Sequence, residues 1–228
     1  FTRTVANGLG NADTGGAWTV SGGTAANYAV NGSVGRLTLG APAASRSAFL
    51  NGVVTANVSA LADVSFDKAA TGGGTYASVI GRRVGTGEYR ATVRAQANGT
   101  IQALLVRRIG TTDTNLAVAA TVPGLTHVAG QFYRVRFEVT GTNPTQLRMK
   151  VWAIGSPEPA AWLLTASDST AAMQAAGSPG VNTYLSGSAT NAPVVSSIDN
   201  LTIIDPTVGT ATPPTARFAI GTTLLTAT

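Results

Sequence analysis

Apolar and β-branched residues recur along this 228-residue chain in short runs of period two, the repeat of strands that bury one face. The 3.6-residue period of an amphipathic helix is almost missing. The runs fall at 17–20, 36–39, 53–66, 76–83, 88–96, 101–109, 116–122, 132–140, 146–154, 162–166, 181–185 and 194–204, and turn residues separate nearly all of them. One stretch, Ser169-Thr170-Ala171-Ala172-Met173-Gln174-Ala175-Ala176, closed by Gly177 and Pro179, has the pattern of a short helix. A dozen short strands at regular spacing predict an all-β fold, a two-sheet antiparallel sandwich of jelly-roll type with one short helix near 169–176.

Two hairpins can be set in register. Asn98-Gly99 reads as a type I′ turn pair, which puts Arg94 opposite Ala103, Thr92 opposite Leu105 and Arg90 opposite Arg107. Tyr89, Ala91, Val93, Leu104 and Val106 then form the buried face, and the arginine-bearing face looks toward water or a ligand groove. The second hairpin turns through Gly141-Thr142-Asn143-Pro144-Thr145 and pairs Val139 with Leu147, Phe137 with Met149 and Val135 with Val151 on the core side. Its other face pairs Glu138 with Arg148, Arg136 with Lys150, and Arg134 with Trp152: a salt bridge, a like-charge contact and a cation–π arrangement. The like-charge pair costs a few tenths to about 1 kcal/mol unless an anion or a further carboxylate sits nearby. A ligand is one source of that anion; the plainer account is a solvated face on which long arginine stems cover apolar surface and splay their heads apart.

After residue 204 the alternation stops. Residues 1–204 are read as the sandwich, 205–214 (Asp205 to Pro214) as an extended Pro/Thr linker, and 215–228 as the truncated start of a second β domain. Its opening, Pro213-Pro214-Thr215-Ala216-Arg217-Phe218, resembles the start of a PKD-type immunoglobulin-like domain. Phe1 is not a start methionine and no charged-then-apolar leader precedes it, so we expect a processed or excised chain, or part of something longer.

Composition narrows the chemistry. With no cysteine, disulfides, thiolate zinc sites, iron–sulfur clusters and cysteine nucleophiles are excluded. No window approaches the ~18 consecutive apolar residues of a membrane-spanning helix, and membrane insertion is not expected. Charged residues are only 11% of the chain and Gly, Ala, Ser and Thr dominate, which predicts a neutral, hydroxyl-rich surface. The net charge of +5 is thinly spread without a five-residue basic block, so nucleic acid is not an expected partner. Thirteen of the fifteen cations are arginine, the side chain suited to planar recognition of carboxylates, phosphates and aromatic faces. There is no Gly-x-Ser-x-Gly elbow, His-Glu-x-x-His pair or phosphate-cradling Gly-x-x-x-x-Gly-Lys loop, and the sole histidine, His127, reads as a loop-packing residue. Jelly-roll glucanases carry Glu-x-Asp-x-x-Glu on one strand. That spacing is missing here: Glu88, Glu138 and Glu158 are isolated, and Glu138 reads as the partner of Arg148.

Several local phrases carry a family resemblance: Gly8-Leu9-Gly10-Asn11-Ala12-Asp13-Thr14-Gly15-Gly16-Ala17-Trp18, Gly87-Glu88-Tyr89-Arg90-Ala91, Phe132-Tyr133-Arg134-Val135-Arg136-Phe137, Leu147-Arg148-Met149-Lys150-Val151-Trp152, Glu158-Pro159-Ala160-Ala161-Trp162 and Ser197-Ile198-Asp199-Asn200-Leu201. With these, residues 1 to about 204 resemble concanavalin A-like (laminin G-like) sandwich modules, as in secreted actinobacterial proteins and in minor tail proteins of phages infecting those bacteria. The resemblance implies an extracellular or virion-tail setting beside other domains of a larger protein. It implies a non-catalytic module that attaches to a cell-surface or wall glycan; the alternative is a purely structural spacer. A structural calcium held by Asp13 and Asp199 is implied as well, at positions matching the acidic ligands of the related glucanases. For sugar binding, Trp152 beside Arg134 offers an aromatic platform with hydrogen-bonding groups. If Arg90, Arg94, Arg134, Arg136 and Lys150 share a concave face, an acidic or phosphorylated wall glycan is the natural partner. A divergent hydrolase or lyase would need two carboxylates about 5–10 Å apart in a cleft.

Overall fold

The computed structural model describes residues 3–207, and the alternation of apolar and polar positions becomes sixteen strands among them. In chain order these are β1 (Thr4–Ala6), β2 (Thr19–Ser21), β3 (Tyr28–Asn31), β4 (Gly35–Leu39), β5 (Ser45–Phe49), β6 (Val58–Phe66), β7 (Thr75–Val84) and β8 (Gly87–Ala95). They continue as β9 (Thr100–Ile109), β10 (Thr112–Asn115), β11 (Ala120–Thr126), β12 (Tyr133–Thr140), β13 (Thr145–Ala153), β14 (Leu164–Asp168), β15 (Ser178–Leu185) and β16 (Val194–Ile204). One sheet runs β1-β3-β4-β16-β6-β12-β13-β14; the other runs β10-β9-β8-β7-β15-β5-β2, with β11 also on β9. Every pairing is antiparallel, and the inward side chains of both sheets form one core that includes Val64, Phe66, Tyr89, Val93, Leu105, Val135, Phe137 and Met149. The fold is therefore the two-sheet sandwich the pattern predicts. The expected helix near 169–176 contracts to a single 3-10 turn at Ala171–Met173, because Met173 is drawn into the core and the Gln174 side chain and Met173 carbonyl bond groups of the sheet end.

The hairpin between β12 and β13 has the expected register throughout, from Tyr133 opposite Ala153 to Thr140 opposite Gln146. The hairpin between β8 and β9 does not. Arg90 faces Val106, Thr92 faces Leu104 and Arg94 faces Gln102, one residue away from the expected pairing. A type I′ turn needs positive φ at both central residues, and here only Gly99 has it, at +84°. The Gly99 amide bonds the Gln96 carbonyl and the Gln96 amide bonds the Thr100 carbonyl, a three-residue loop closed by a glycine bulge. The extra residue exchanges the faces of β9, so Ala103 and Leu105 enter the core while Leu104 and Val106 join Arg90, Thr92 and Arg94 outside.

A second bulge, between Ile80 and Arg82 in β7, leaves Gly81 against the opposite sheet, where an added Cβ would lie 2.5 Å from Val139 and 2.8 Å from Phe137. The bulge turns Arg82 inward, fully buried. Its guanidinium donates to Thr145 Oγ1 at 2.8 Å, to the carbonyls of Gly141 at 2.8 Å and Met173 at 3.3 Å, and to that of Ala56, tying together three segments at one end of the sandwich. Nearby, the buried Tyr89 hydroxyl donates to Asp168 at 2.6 Å, and Arg107 pairs with the same carboxylate at 2.6 Å. Of the expected linker, Asp205 and Thr207 lie against Thr55 and Asn57 at the approach to β6; its residues 208–214 and the PKD-like stretch at 215–228 lie outside the described residues.

Candidate functional site

Outside the core, the outer face of the second sheet carries a trough of about 500 Å³ across its strands. Leu104, Val106 and Arg108 from β9, Arg90 and Thr92 from β8, Tyr76 and Ser78 from β7, and Asn182 and Tyr184 from β15 line it, with Ala43 and Ser45 toward one side and Thr111, Asp113 and Asn115 toward the other. Alternation explains the lining: each strand sends every second side chain outward, and the bulge at Gly99 adds the two aliphatics of β9 to that face.

Its floor is polar and prearranged. The Arg90 guanidinium meets Glu88 at 2.6 Å through both Nε and Nη2, with each side chain only 10% exposed. Arg90 Nη1 also donates to Asn182 Oδ1 at 3.3 Å, while Asn182 Nδ2 donates to Ser45 Oγ at 3.0 Å, to Ser47 Oγ at 2.9 Å and to the Arg46 carbonyl at 3.2 Å. Ser78 and Thr92 share a hydrogen bond of 2.8 Å. The wall is aromatic: Tyr76 and Tyr184 are half-buried with ring centroids 5.6 Å apart and planes tilted 53°. Arg94 lies 5.1 Å over the Tyr76 ring and donates to the Gly73 carbonyl at 2.9 Å. Burial pushes the Tyr76 phenol above its ordinary value, with Arg94 opposing and Tyr184 adding to the shift, so it serves as a neutral hydroxyl. At the far side Arg108 pairs with Asp113 at 2.9 Å.

The expected single arginine-bearing face is divided between two. Arg90 and Arg94 stand on the outer face of the second sheet, whereas Arg134, Arg136, Lys150 and Trp152 stand on the outer face of the first. The reason is topological: β8 and β12 belong to different sheets and their outward sides point in opposite directions. Arg134 forks onto Asp63, with Nε and Nη2 each 2.6 Å from a carboxylate oxygen, and Asn200 Nδ2 reaches the same carboxylate at 2.8 Å. The bond to Asp63 raises the Arg134 pKa, against the effect of burial. The stacked cations belong to Trp162, with Arg148 at 4.4 Å and Lys150 at 4.6 Å from its ring centre.

The like-charge pair is resolved by the chain itself. Glu158 accepts from Arg136 at 2.8 Å through both oxygens and from Lys150 at 3.0 Å, so the missing anion is a carboxylate from the loop after β13. Burial pushes Glu158 upward, but the bonds from Arg136 and Lys150 outweigh it and hold the carboxyl below the ordinary range. Trp152 is only 7% exposed beneath this loop. It lines, with Trp162, Val122, Leu125, Pro157 and Pro159, a second groove of about 470 Å³.

Asp13 is 54% exposed and lies 3.7 Å from Arg3. Asp199 stands opposite Asp63 across β16 and β6, and its carboxyl is raised first by burial and then by Asp63, against the pull of the Asn200 amide and Arg134. Among the described residues no three acidic or histidine side chains come together as a metal cluster. Calcium takes six to eight oxygens, so these surroundings are a thin donor set for it. His127 packs between loops as expected: its Nε2 donates to the Lys68 carbonyl at 2.9 Å, and its Nδ1 lies 3.2 Å from the Tyr133 hydroxyl.

Patterning missed Tyr76, Asn182, Leu104 and Val106, which line the trough. The signal that points to them is a pair of aliphatics on a strand whose neighbours across the sheet are Arg, Thr and Arg; it becomes readable only with the correct turn.

No protein-family model matches this sequence, and no curated protein is significantly similar to it. Among solved structures the chain is similar to the carbohydrate-binding module CBM66 from Bacillus subtilis, at 14% identity over 86% of this chain and 98% of that one, with a TM-score of 0.56. It is similar to a legume lectin-like domain from Entamoeba histolytica, at 8% identity over 82% of this chain and 89% of that one, TM-score 0.55. It is also similar to a GH16 protein of the Bacteroides ovatus mixed linkage glucan PUL in complex with G4G4G3G product, at 12% identity over 82% and 94% of the two chains, TM-score 0.57. At these identities the likeness establishes architecture alone: this chain has the concanavalin A-like sandwich fold shared by lectins and glucanases.

Proposed function

We propose that this chain is a non-catalytic carbohydrate-binding module that holds a glycan in the trough on the outer face of the second sheet. One observation carries the reading: a floor of buried, mutually hydrogen-bonded polar side chains, Arg90, Glu88, Asn182, Ser78 and Thr92, lies open to a trough walled by Tyr76 and Tyr184. A sugar ring presents apolar C–H faces edged by hydroxyls, and it needs this combination of flat apolar or aromatic surface with fixed polar groups. Leu104 and Val106 add an aliphatic platform.

The similarity to a carbohydrate-binding module and a lectin-like domain supports the reading. A non-catalytic role is supported by the state of the carboxylates. Asp113 is the one carboxylate among the lining residues, it is paired with Arg108, and Glu88 of the floor is paired with Arg90. Each is engaged with a cation of the chain, and the two do not form a facing pair of carboxylates. Attachment of an exported or phage-tail protein to a cell-surface or wall glycan is the setting we propose.

Affinity electrophoresis through gels containing individual polysaccharides tests the site. Tyr76→Ala combined with Tyr184→Ala is expected to weaken retardation about tenfold or more, since each stacked aromatic contributes about 1 kcal/mol. Arg134→Ala is expected to leave retardation unchanged. Retardation lost with Arg134→Ala and kept without the tyrosines would move the site to the first sheet, and no retardation in any gel would favour the spacer role.

A further inference from the structure

Resting on that reading, the structure assigns the class of glycan: we infer that the trough selects uncharged polysaccharides and rejects acidic ones. Arginines lining a sugar site ordinarily suggest a uronate or phosphate partner, because guanidinium forks onto oxyanions. Here the guanidinium groups are already engaged within the chain. Arg90 donates to Glu88 through Nε and Nη2 at 2.6 Å and gives its remaining nitrogen, Nη1, to Asn182 at 3.3 Å. Arg108 is held by Asp113 at 2.9 Å. Arg94, at the edge, faces neutral acceptors, the Gly73 carbonyl and Gln102 Oε1, and lies over the Tyr76 ring.

A ligand carboxylate entering the floor would approach Glu88 while seeking Arg90, and both are largely withdrawn from water, where like-charge repulsion is poorly screened. Asp113 on the wall presents a second negative charge on the way in. A hydroxyl meets no such conflict. It both donates and accepts, and the trough offers both kinds of partner: the Ser45, Ser78 and Thr92 hydroxyls, and the outer edges of two neutralised ion pairs.

The test uses the whole chain in affinity electrophoresis and calorimetry against neutral probes (mixed-linkage β-glucan, xylan, levan) and acidic ones (polygalacturonate, alginate, wall teichoic acid), at low and high sodium chloride. We expect binding to at least one neutral polysaccharide, changing less than about twofold with salt because no net ion pair forms. Acidic probes are expected to bind at least about tenfold more weakly. Asp113→Asn, which frees Arg108, is expected to bring in measurable, salt-sensitive binding of polygalacturonate. Salt-sensitive binding of the unaltered chain to an acidic probe in preference to every neutral one would overturn the inference while leaving carbohydrate binding intact. Binding to none of the six would overturn both.

Discussion

Asp168 shows how one side chain couples the packing of this protein to pH. Burial alone would raise its carboxyl, yet hydrogen bonds from Tyr89 and Thr170 together with the Arg107 guanidinium outweigh that effect and hold it below the ordinary carboxylate value. The cost falls on the phenol: burial first, then Asp168, pushes Tyr89 up to about 12, so it remains a donor across the working range. A carboxyl lowered by folding contributes stability that is complete above its unfolded value near pH 4 and is lost as pH falls through its folded value. Glu158 has the same sign and Asp199 the opposite one, since its raised carboxyl disfavours the charged form and acid relieves it. The melting temperature is therefore expected to hold or rise slightly from pH 7 toward 4 and to fall below that. Asp168→Asn should lower it at pH 7 and flatten the acid limb, as a fluorimetric melting series from pH 7 to 2 would record; an unchanged acid limb in that variant would assign the loss elsewhere.

Among the elements, β7, β8 and β9 decide where the site lies, and two bulges decide what these strands present. Gly81 fills the place where β7 presses on Phe137 and Val139 of the opposing sheet. Gly81→Ala is expected to destabilise the fold by about 1–3 kcal/mol, measured by urea denaturation, because the added methyl meets two rigid core side chains. The bulge at Gly99 had a larger consequence for reading the sequence. Asn-Gly names a tight hairpin but does not distinguish a two-residue loop from a three-residue one, and that single residue moves Leu104 and Val106 from core to trough. At 141–145 the flanking residues alternate on both strands with apolar inner faces, so a one-residue slip would have buried arginine, and the pairing was legible.

On the scale of the whole molecule, the two outer faces have different characters. The first sheet's outer face is laced by ion pairs internal to the chain, Arg134 with Asp63, Arg136 and Lys150 with Glu158, and Arg148 with Glu138. The second sheet's outer face is hollowed into the trough. The same internal pairing bears on metal. Because Arg3 lies by Asp13 and Arg134 acts on Asp199, we expect chelator and added calcium alike to leave the melting temperature unchanged, and Asp199→Asn to raise or preserve it at pH 7. A calcium-dependent rise abolished by that substitution would instead establish a calcium held there, as the family resemblance implies.

The absence of a helical core, the two-sheet class and the β12–β13 register follow from the sequence alone, because period-two alternation and turn residues are local properties of the chain; short strands such as β1, β3 and β5, which carry no such run, bring the expected dozen to sixteen. Which arginines share a face, which carboxylate answers the Arg136–Lys150 pair, and where a concavity opens were decided only by tertiary structure. Those outcomes depend on contacts between segments far apart in the chain, such as β7 against β15, and on single-residue bulges that reverse a strand's faces without altering its pattern.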